Sequence, residues 1–417
     1  MHGQPLIRRD LIKQPSVSAE HSSRDSIDID LVRAHTPGVQ NRVHFNNAGS
    51  AQMPECVVRA VTEHIELESQ IGGYEAADEK QHMLDELYLD VAALIGAQAE
   101  EIAIMDNATV AWDHAFYALP FKAGDRILTS QAEYAANYVA FLQRAHKESL
   151  IIDVVPNDDS GALDVDALRE MVDERVALIA ITWIPTNGGL VNPAAAVGEI
   201  AKRFNIPYLL DACQALGQMP VDVRALGCDF LSATGRKFLR GPRGTGFLYV
   251  RKALIEALQP VMIDHFAADW VMRDTYALRG DARRFENWEN AYALRMGLRA
   301  AVRYAQYIGL GAIQQRAWAL AARLRERLQD IGGIKLHDAG AEKCAIVSFS
   351  INGFDALKMK RALTENAINI SVSSPSSTLL DAQDRRLPAL LRASPHYYNT
   401  ESELDCVVDA IESIRSR

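Results

Sequence analysis

Cysteine is scarce in this chain of 417 residues: Cys56, Cys213, Cys228, Cys344 and Cys406 are widely spaced and form no CxxC pair. An odd number in that spacing argues against a disulfide framework and against a zinc site, so reduced, mostly buried thiols and no metal are expected. Long apolar runs are also lacking. The longest, such as Val176 to Trp183, fall far short of the roughly 20 residues of a membrane-spanning helix, and no membrane partner is expected. Positive charge is in deficit, with 44 Lys+Arg against 54 Asp+Glu and a net charge of −10. Such a surface repels a phosphate backbone, which argues against nucleic acid as a partner. The opening Met1-His2-Gly3-Gln4-Pro5 has no continuous apolar stretch before Arg8, Arg9 and Asp10, so a cytoplasmic location is expected. Internal repeats and low-complexity tracts are missing as well.

What the sequence does have is the balance of an ordinary globular protein, 48% hydrophobic and 24% charged, at a length that suits two or three domains. Residues 1–42 read as a polar extension, with Ser16, Ser18, Ser22, Ser23 and Ser26 among charges and then Pro37-Gly38. From Val43 onward apolar strands alternate with helical patterns: Ile102–Met105, a helix from near Thr109, Arg126–Thr129, Leu150–Val155, Val165–Val172, Val176–Trp183, Ala194–Arg203 and Tyr208–Asp211. That alternation predicts an α/β fold with a mostly parallel sheet covered by helices on both faces, a large domain over 43–300. A long helical region follows Glu286 and stops at Gly332-Gly333. Residues 301–417 then read as a small C-terminal α+β domain, with strands at 345–351 and 368–372 and helices at 356–367 and near 400–414.

The segment Ser232-Ala233-Thr234-Gly235-Arg236-Lys237-Phe238-Leu239-Arg240-Gly241-Pro242-Arg243-Gly244-Thr245-Gly246 leads into the strand Phe247–Val250. A dinucleotide fingerprint or a P-loop sets its glycines after a strand and before a helix, and here they precede a strand, so both fail on order. Asp211 ends the apolar strand Tyr208-Leu209-Leu210, and a carboxylate at such a strand end points into the crevice where open α/β sheets bind ligands. Alone it is more often a cap or loop anchor, and Lys237 alone is more often a solvated surface lysine. As a pair, with the strand-sized Phe230-Leu231-Ser232 between them, they match the needs of pyridoxal 5′-phosphate (PLP). Its aldehyde requires a lysine amine, and its ring nitrogen requires a carboxylate to keep it protonated.

With these motifs in order, the sequence from about Val43 to Ile414 resembles the aminotransferase class V family, which includes cysteine desulfurases, kynureninase, isopenicillin N epimerase and sulfoxide lyases of ergothioneine biosynthesis. The resemblance implies PLP as cofactor, fold type I with a seven-stranded sheet in the large domain, an amino-acid substrate, and a homodimer with active sites near the interface. It assigns Lys237 and Asp211 the catalytic roles just given. Thr234 and Arg236, in the triplet Thr234-Gly235-Arg236 before the lysine, would contact the cofactor phosphate, as would Ala108 and Thr109 in Asn107-Ala108-Thr109 at a helix start. Gln214 would hydrogen-bond the phenolic oxygen and Thr186 would face the cofactor. Tyr134 takes the position of a ring-stacking histidine. Arg392 would grip the substrate α-carboxylate with Asn47 as a second donor.

Two departures bear on the reaction. The loop that carries the desulfurase nucleophile reads Ser373-Ser374-Pro375-Ser376-Ser377-Thr378, without cysteine, and serine at neutral pH does not replace a thiolate. Phe285-Glu286-Asn287-Trp288-Glu289 stands where desulfurases have a Gly-Thr pair reaching the partner subunit. The expectation is a C–S lyase that eliminates sulfur from a cysteine S-conjugate or its sulfoxide, most similar to the ergothioneine-pathway lyases. The alternative is an epimerase or aminotransferase similar to isopenicillin N epimerase.

Overall fold

Seven strands rich in Val, Ile and Leu build the central sheet: β1 (Ile102–Met105), β2 (Arg126–Ser130), β3 (Ile151–Val155), β4 (Val176–Thr182), β5 (Tyr208–Asp211), β6 (Phe230–Thr234) and β7 (Gly246–Val250). In this computed structural model, which describes residues 27–416, they lie in the order β1-β7-β6-β5-β4-β2-β3. Strand β7 runs antiparallel to β1 and β6, and every other pairing is parallel. A sheet buried on both faces needs apolar residues at successive positions. Strands β5, β6 and β7 have no residue outside the buried class. The carboxyl ends of β1, β2, β4, β5 and β6 therefore share one edge, and the chemistry-bearing residues gather there.

A second sheet of four antiparallel strands orders Ile334–Leu336, Val347–Ile351, Leu390–Ala393 and Ser371–Ser373 side by side. It carries Arg392 on a central strand. A helix spanning Tyr292–Ile308 is continuous across residue 300 and is followed by a helix over Leu310–Gln329. The expected division at 300/301 thus falls inside a helix.

The compact fold also begins earlier than Val43. Asp28 caps a helix over Ile29–Ala34, whose Val32 is buried with Ile313, Tyr397 and Tyr398. Arg33 pairs with Glu403 at 2.9 Å. Residues 28–42, expected as extension, are packed against the C-terminal region, with Val32 and Val39 joining that cluster and Arg33 paired with Glu403. The serines at 16–26 lie outside the described residues. Val43–His44 then pair in parallel with Ile368–Asn369, so the first strand after the extension joins the small domain rather than the large one.

Candidate active site

Lys237 follows β6 after Gly235 and Arg236, and Asp211 is the last residue of neighbouring β5. Burial lowers the pKa of the Lys237 amine below the ordinary lysine range; Asp211 opposes the shift and Arg236 and Arg392 add to it. An amine with that bias is neutral more often than a surface lysine, which suits attack on an aldehyde. Asp211 is buried and accepts the Cys213 backbone N–H at 2.9 Å and the Asn137 amide at 3.1 Å.

The turn after Lys237 is held from three sides. Arg240 is fully buried at φ +64°, and its backbone N–H reaches the Lys237 carbonyl at 2.9 Å. Its guanidinium donates to the Gln52 carbonyl at 2.8 Å, the Tyr397 hydroxyl at 2.6 Å and the Thr36 hydroxyl at 2.6 Å. It also lies 4.2 Å from the centre of the Tyr398 ring.

Helix α1 (Ala108–Ala118) points its N-terminus at the same sheet edge, with the Asn107 side chain accepting from Val110 N–H at 3.0 Å. The N–H groups of a helix's first turn have no partner within the helix, so Ala108 and Thr109 present donors there. Gly246, paired with Thr234 across β6 and β7, makes that approach possible. A Cβ on Gly246 would sit 2.5 Å from the Ala233 carbonyl oxygen and 2.9 Å from the Asn107 carbonyl carbon. The small residue opens a cradle between a helix N-terminus and the Thr234–Arg236 turn. The Thr234 hydroxyl donates to the Thr245 carbonyl at 3.2 Å, and Arg236 hydrogen-bonds the Gly49 carbonyl through Nη1.

Across the crevice, Arg392 Nη1 donates to the Thr186 hydroxyl at 2.6 Å and carbonyl at 3.0 Å, and Nη2 lies 3.5 Å from Asn46 Oδ1. Its buried Nε has no partner. Burial, reinforced by the positive charge of Arg236, lowers Arg392 to about 10, with Tyr134 opposing. Gln214 donates from Nε2 to the Ala48 carbonyl at 3.1 Å and lies 3.5 Å from the Thr186 hydroxyl, leaving its buried Oε1 unpartnered. Tyr134, 37% exposed at the start of helix α2 (Ala135–Glu148), has its phenol pKa raised by burial and then by Asp211 and Cys213, and lowered by Arg236 and Arg392. The phenol therefore senses the same groups that surround Lys237.

Lys237, Asp211, Gln214, Thr186, Tyr134, Arg236, Arg392 and the Ala108–Thr109 turn lie around one end of the sheet. Asn47 does not fit its expected role. It is fully buried, with its amide donating to the Ser394 carbonyl at 2.8 Å and its oxygen accepting from the Tyr398 hydroxyl at 2.5 Å. Its donors are spent inside the fold, and the neighbouring Asn46 is the residue turned toward Arg392. Glu286, in the segment that departs from the desulfurase pattern, is buried in an ion pair with Arg295 at 2.7 Å and accepts from Ile104 N–H and the Tyr88 hydroxyl, both at 2.9 Å. It has a structural partnership and is not free to reach a neighbouring subunit. The Ser373–Thr378 segment is tied down by Asn187, whose amide donates to the Thr378 hydroxyl at 2.8 Å and the Ser374 carbonyl at 3.2 Å.

The profile of the aminotransferase class-V family matches residues 43–407. The chain belongs to that family. A probable cysteine desulfurase of Methanothermobacter thermautotrophicus is 30% identical over 390 residues, covering 92% of this chain and 97% of the relative. Among solved structures, a cysteine desulfurase of Thermococcus onnurineus is similar with TM-score 0.87 and 26% identity, over 92% of this chain and 97% of that one. A cystine C–S lyase in complex with its product cysteine persulfide shares the fold with TM-score 0.81 and 22% identity, over 90% and 98% of the two chains. This class-V chain is therefore a PLP-dependent enzyme. Its site fits the cofactor: an amine of lowered pKa, a buried carboxylate, a cradle opened by Gly246, and the buried, unpartnered Gln214 Oε1 and Arg392 Nε. Among the described residues no cluster fit for a metal ion is present, and no helix is long and apolar enough to cross a membrane.

Proposed function

We propose that this enzyme is a C–S lyase, eliminating sulfur from Cβ of a cysteine S-conjugate or cysteine sulfoxide. The reading is supported by a lysine of lowered pKa beside Asp211, together with a Ser373–Thr378 segment that holds no cysteine where desulfurases carry their nucleophile. PLP supplies an aldehyde that captures amines and an electron-poor ring that accepts the Cα electron pair. Lys237 holds the cofactor at rest and takes the Cα proton on Nζ in the reaction. Asp211 keeps the ring nitrogen protonated. Ala108, Thr109, Thr234 and Arg236 hold the phosphate, and Tyr134, Thr186 and Gln214 border the ring. Arg392 binds the α-carboxylate through its fork and orients Cα.

Loss of the Cα proton breaks the Cα–H bond, and the Cβ–S bond then breaks with its electron pair leaving on sulfur. The three-carbon enamine that remains hydrolyses to pyruvate and ammonium. Protein thiols do not enter. Cys213, nearest the site, is held protonated because burial, with Asp211 beside it, raises its pKa. A persulfide-forming route needs a thiolate, and residues 373–378 contain no cysteine.

The test incubates the holoenzyme with a panel of cysteine conjugates and sulfoxides in deuterated water. Equal amounts of pyruvate and ammonium, without a keto-acid acceptor, are the expected result. Cα exchange with no pyruvate anywhere on the panel would replace the lyase by the epimerase reading, and turnover that stalls until an acceptor is added would replace it by an aminotransferase.

We further propose a cytoplasmic homodimer. Support for the second copy comes from an antiparallel hairpin, Ala268–Met272 with Thr275–Leu278, that exposes Trp270 at 79%, Met272 at 63% and Tyr276 at 51%. A two-stranded hairpin is marginal alone, and an exposed apolar face of this kind needs cover.

A further inference from the structure

Asn137 sits in the first turn of α2, 3% exposed, between two buried carboxyl groups. Its amide nitrogen is 2.8 Å from Glu133 Oε1 and 3.1 Å from Asp211 Oδ2. An amide nitrogen carries two hydrogens, so one is spent on each carboxyl group. Asp211 sets this orientation, because turning the amide over would press its oxygen against the carboxylate Oδ2.

Glu133 is locked in turn by backbone. It accepts the Tyr134 N–H at 3.0 Å, the Thr182 N–H at 2.9 Å, the Thr182 hydroxyl at 2.5 Å and the Thr129 hydroxyl at 3.1 Å. These donors come from the ends of β2 and β4 and the start of α2, all part of the rigid sheet edge. On Asp211, Oδ1 is taken by the Cys213 N–H and Oδ2 by Asn137, which fixes the rotation of the carboxylate.

We propose that Asn137 and Glu133 are positioning residues for Asp211: Glu133 sets the Asn137 amide, and that amide sets the plane in which Asp211 meets the cofactor's ring nitrogen. The proposal rests on the assignment of Asp211 to that nitrogen. A carboxylate turned in advance toward the charge it must stabilise needs no reorganisation when cofactor binds, whereas one free to rotate does.

The experiment uses cofactor labelled with nitrogen-15 in the ring. Ring-nitrogen NMR reports protonation, and equilibrium dialysis reports cofactor affinity, in the wild type, Asn137→Ala, Glu133→Gln and Asp211→Asn. Asn137→Ala is expected to bind cofactor about tenfold more weakly, the lower end for a hydrogen bond to a charged group. Its resonance should move part of the way toward that of Asp211→Asn. Glu133→Gln keeps the side-chain size but turns one acceptor into a donor facing the Tyr134 or Thr182 N–H, and should move the resonance in the same direction by less. If Asp211→Asn moves the resonance while Asn137→Ala leaves resonance and affinity at wild-type values, the positioning role is overturned. If Asp211→Asn itself moves nothing, the assignment of Asp211 falls first. Should Asn137→Ala fail to fold, Glu133→Gln carries the test, and a wild-type resonance there overturns the proposal.

Discussion

Arg392 and Glu133 are two buried charged side chains with opposite fates. Arg392 keeps its charge because Thr186 and Asn46 accept from its terminal nitrogens, and a planar substrate carboxylate matches the fork that remains. Arg392→Lys should raise KM for amino acids by about 10- to 150-fold, the equivalent of roughly 1.5–3 kcal/mol for a charged hydrogen bond. Decarboxylated amine analogues should lose far less, and a comparison of kcat/KM for the two substrate types checks it. Glu133 has its pKa raised to about 7 by burial, against an ordinary value of 4.5. The folded protein then keeps a proton that the unfolded chain loses, so stability falls as pH rises through the window from about 4.5 to 7 and levels off above it. The full effect is on the order of 3 kcal/mol, from 1.36 kcal/mol per unit. Urea unfolding of wild type and Glu133→Gln from pH 5 to 8 should show this slope in the first and its loss in the second.

At the scale of elements, the cradle depends on how closely α1 approaches the end of β6. Gly246→Ala forces a methyl against the Ala233 carbonyl and the Asn107 peptide. Backbone must shift, at about 1–3 kcal/mol for overpacking of this kind, and the helix N-terminus is displaced from the phosphate. Thermal melting of the apoenzyme reads the first effect and cofactor affinity the second; unchanged affinity would detach α1 from phosphate binding. The elements that frame this cradle are legible in the sequence. Strands such as β1 and β4 carry apolar runs, and Asp211 at the end of β5 and Lys237 just past the end of β6 stand where a sheet edge offers them to ligand. Other parts are not legible. Asn137 and Glu133 are ordinary polar residues until β4 brings Thr182 across from them. Asn46 and Asn47 are adjacent and identical in type, and only the pairing of this segment with Ser394 decides which one faces inward. The packing of Ile29–Ala34 escapes the pattern because a helix of six residues is too short to show a helical period.

For the whole molecule, the exposed hairpin at 268–278 is the surface that most needs a partner. Trp270→Glu should weaken self-association without touching the pocket. Sedimentation velocity over a concentration series is expected to show a dimer for the wild type and a shift toward monomer for the variant. A wild-type protein that stays monomeric at the highest concentration would remove the hairpin from that role.

The turn after Lys237 has a consequence for the order of assembly. Arg240 holds its left-handed backbone only while Thr36, Gln52 and Tyr397 occupy its guanidinium, and those three residues come from opposite extremes of the described chain. During synthesis the large sheet can be complete once Val250 has emerged, yet the lysine's support waits for residues nearly 150 positions later, since 397 − 250 = 147. A nascent chain halted near residue 300 would therefore own the lysine, the carboxylate and Arg240 with Thr36 and Gln52, but lack Tyr397 and the arginine that receives substrate. Competence to bind cofactor productively arrives late and all at once, when the two extremes close around one buried arginine.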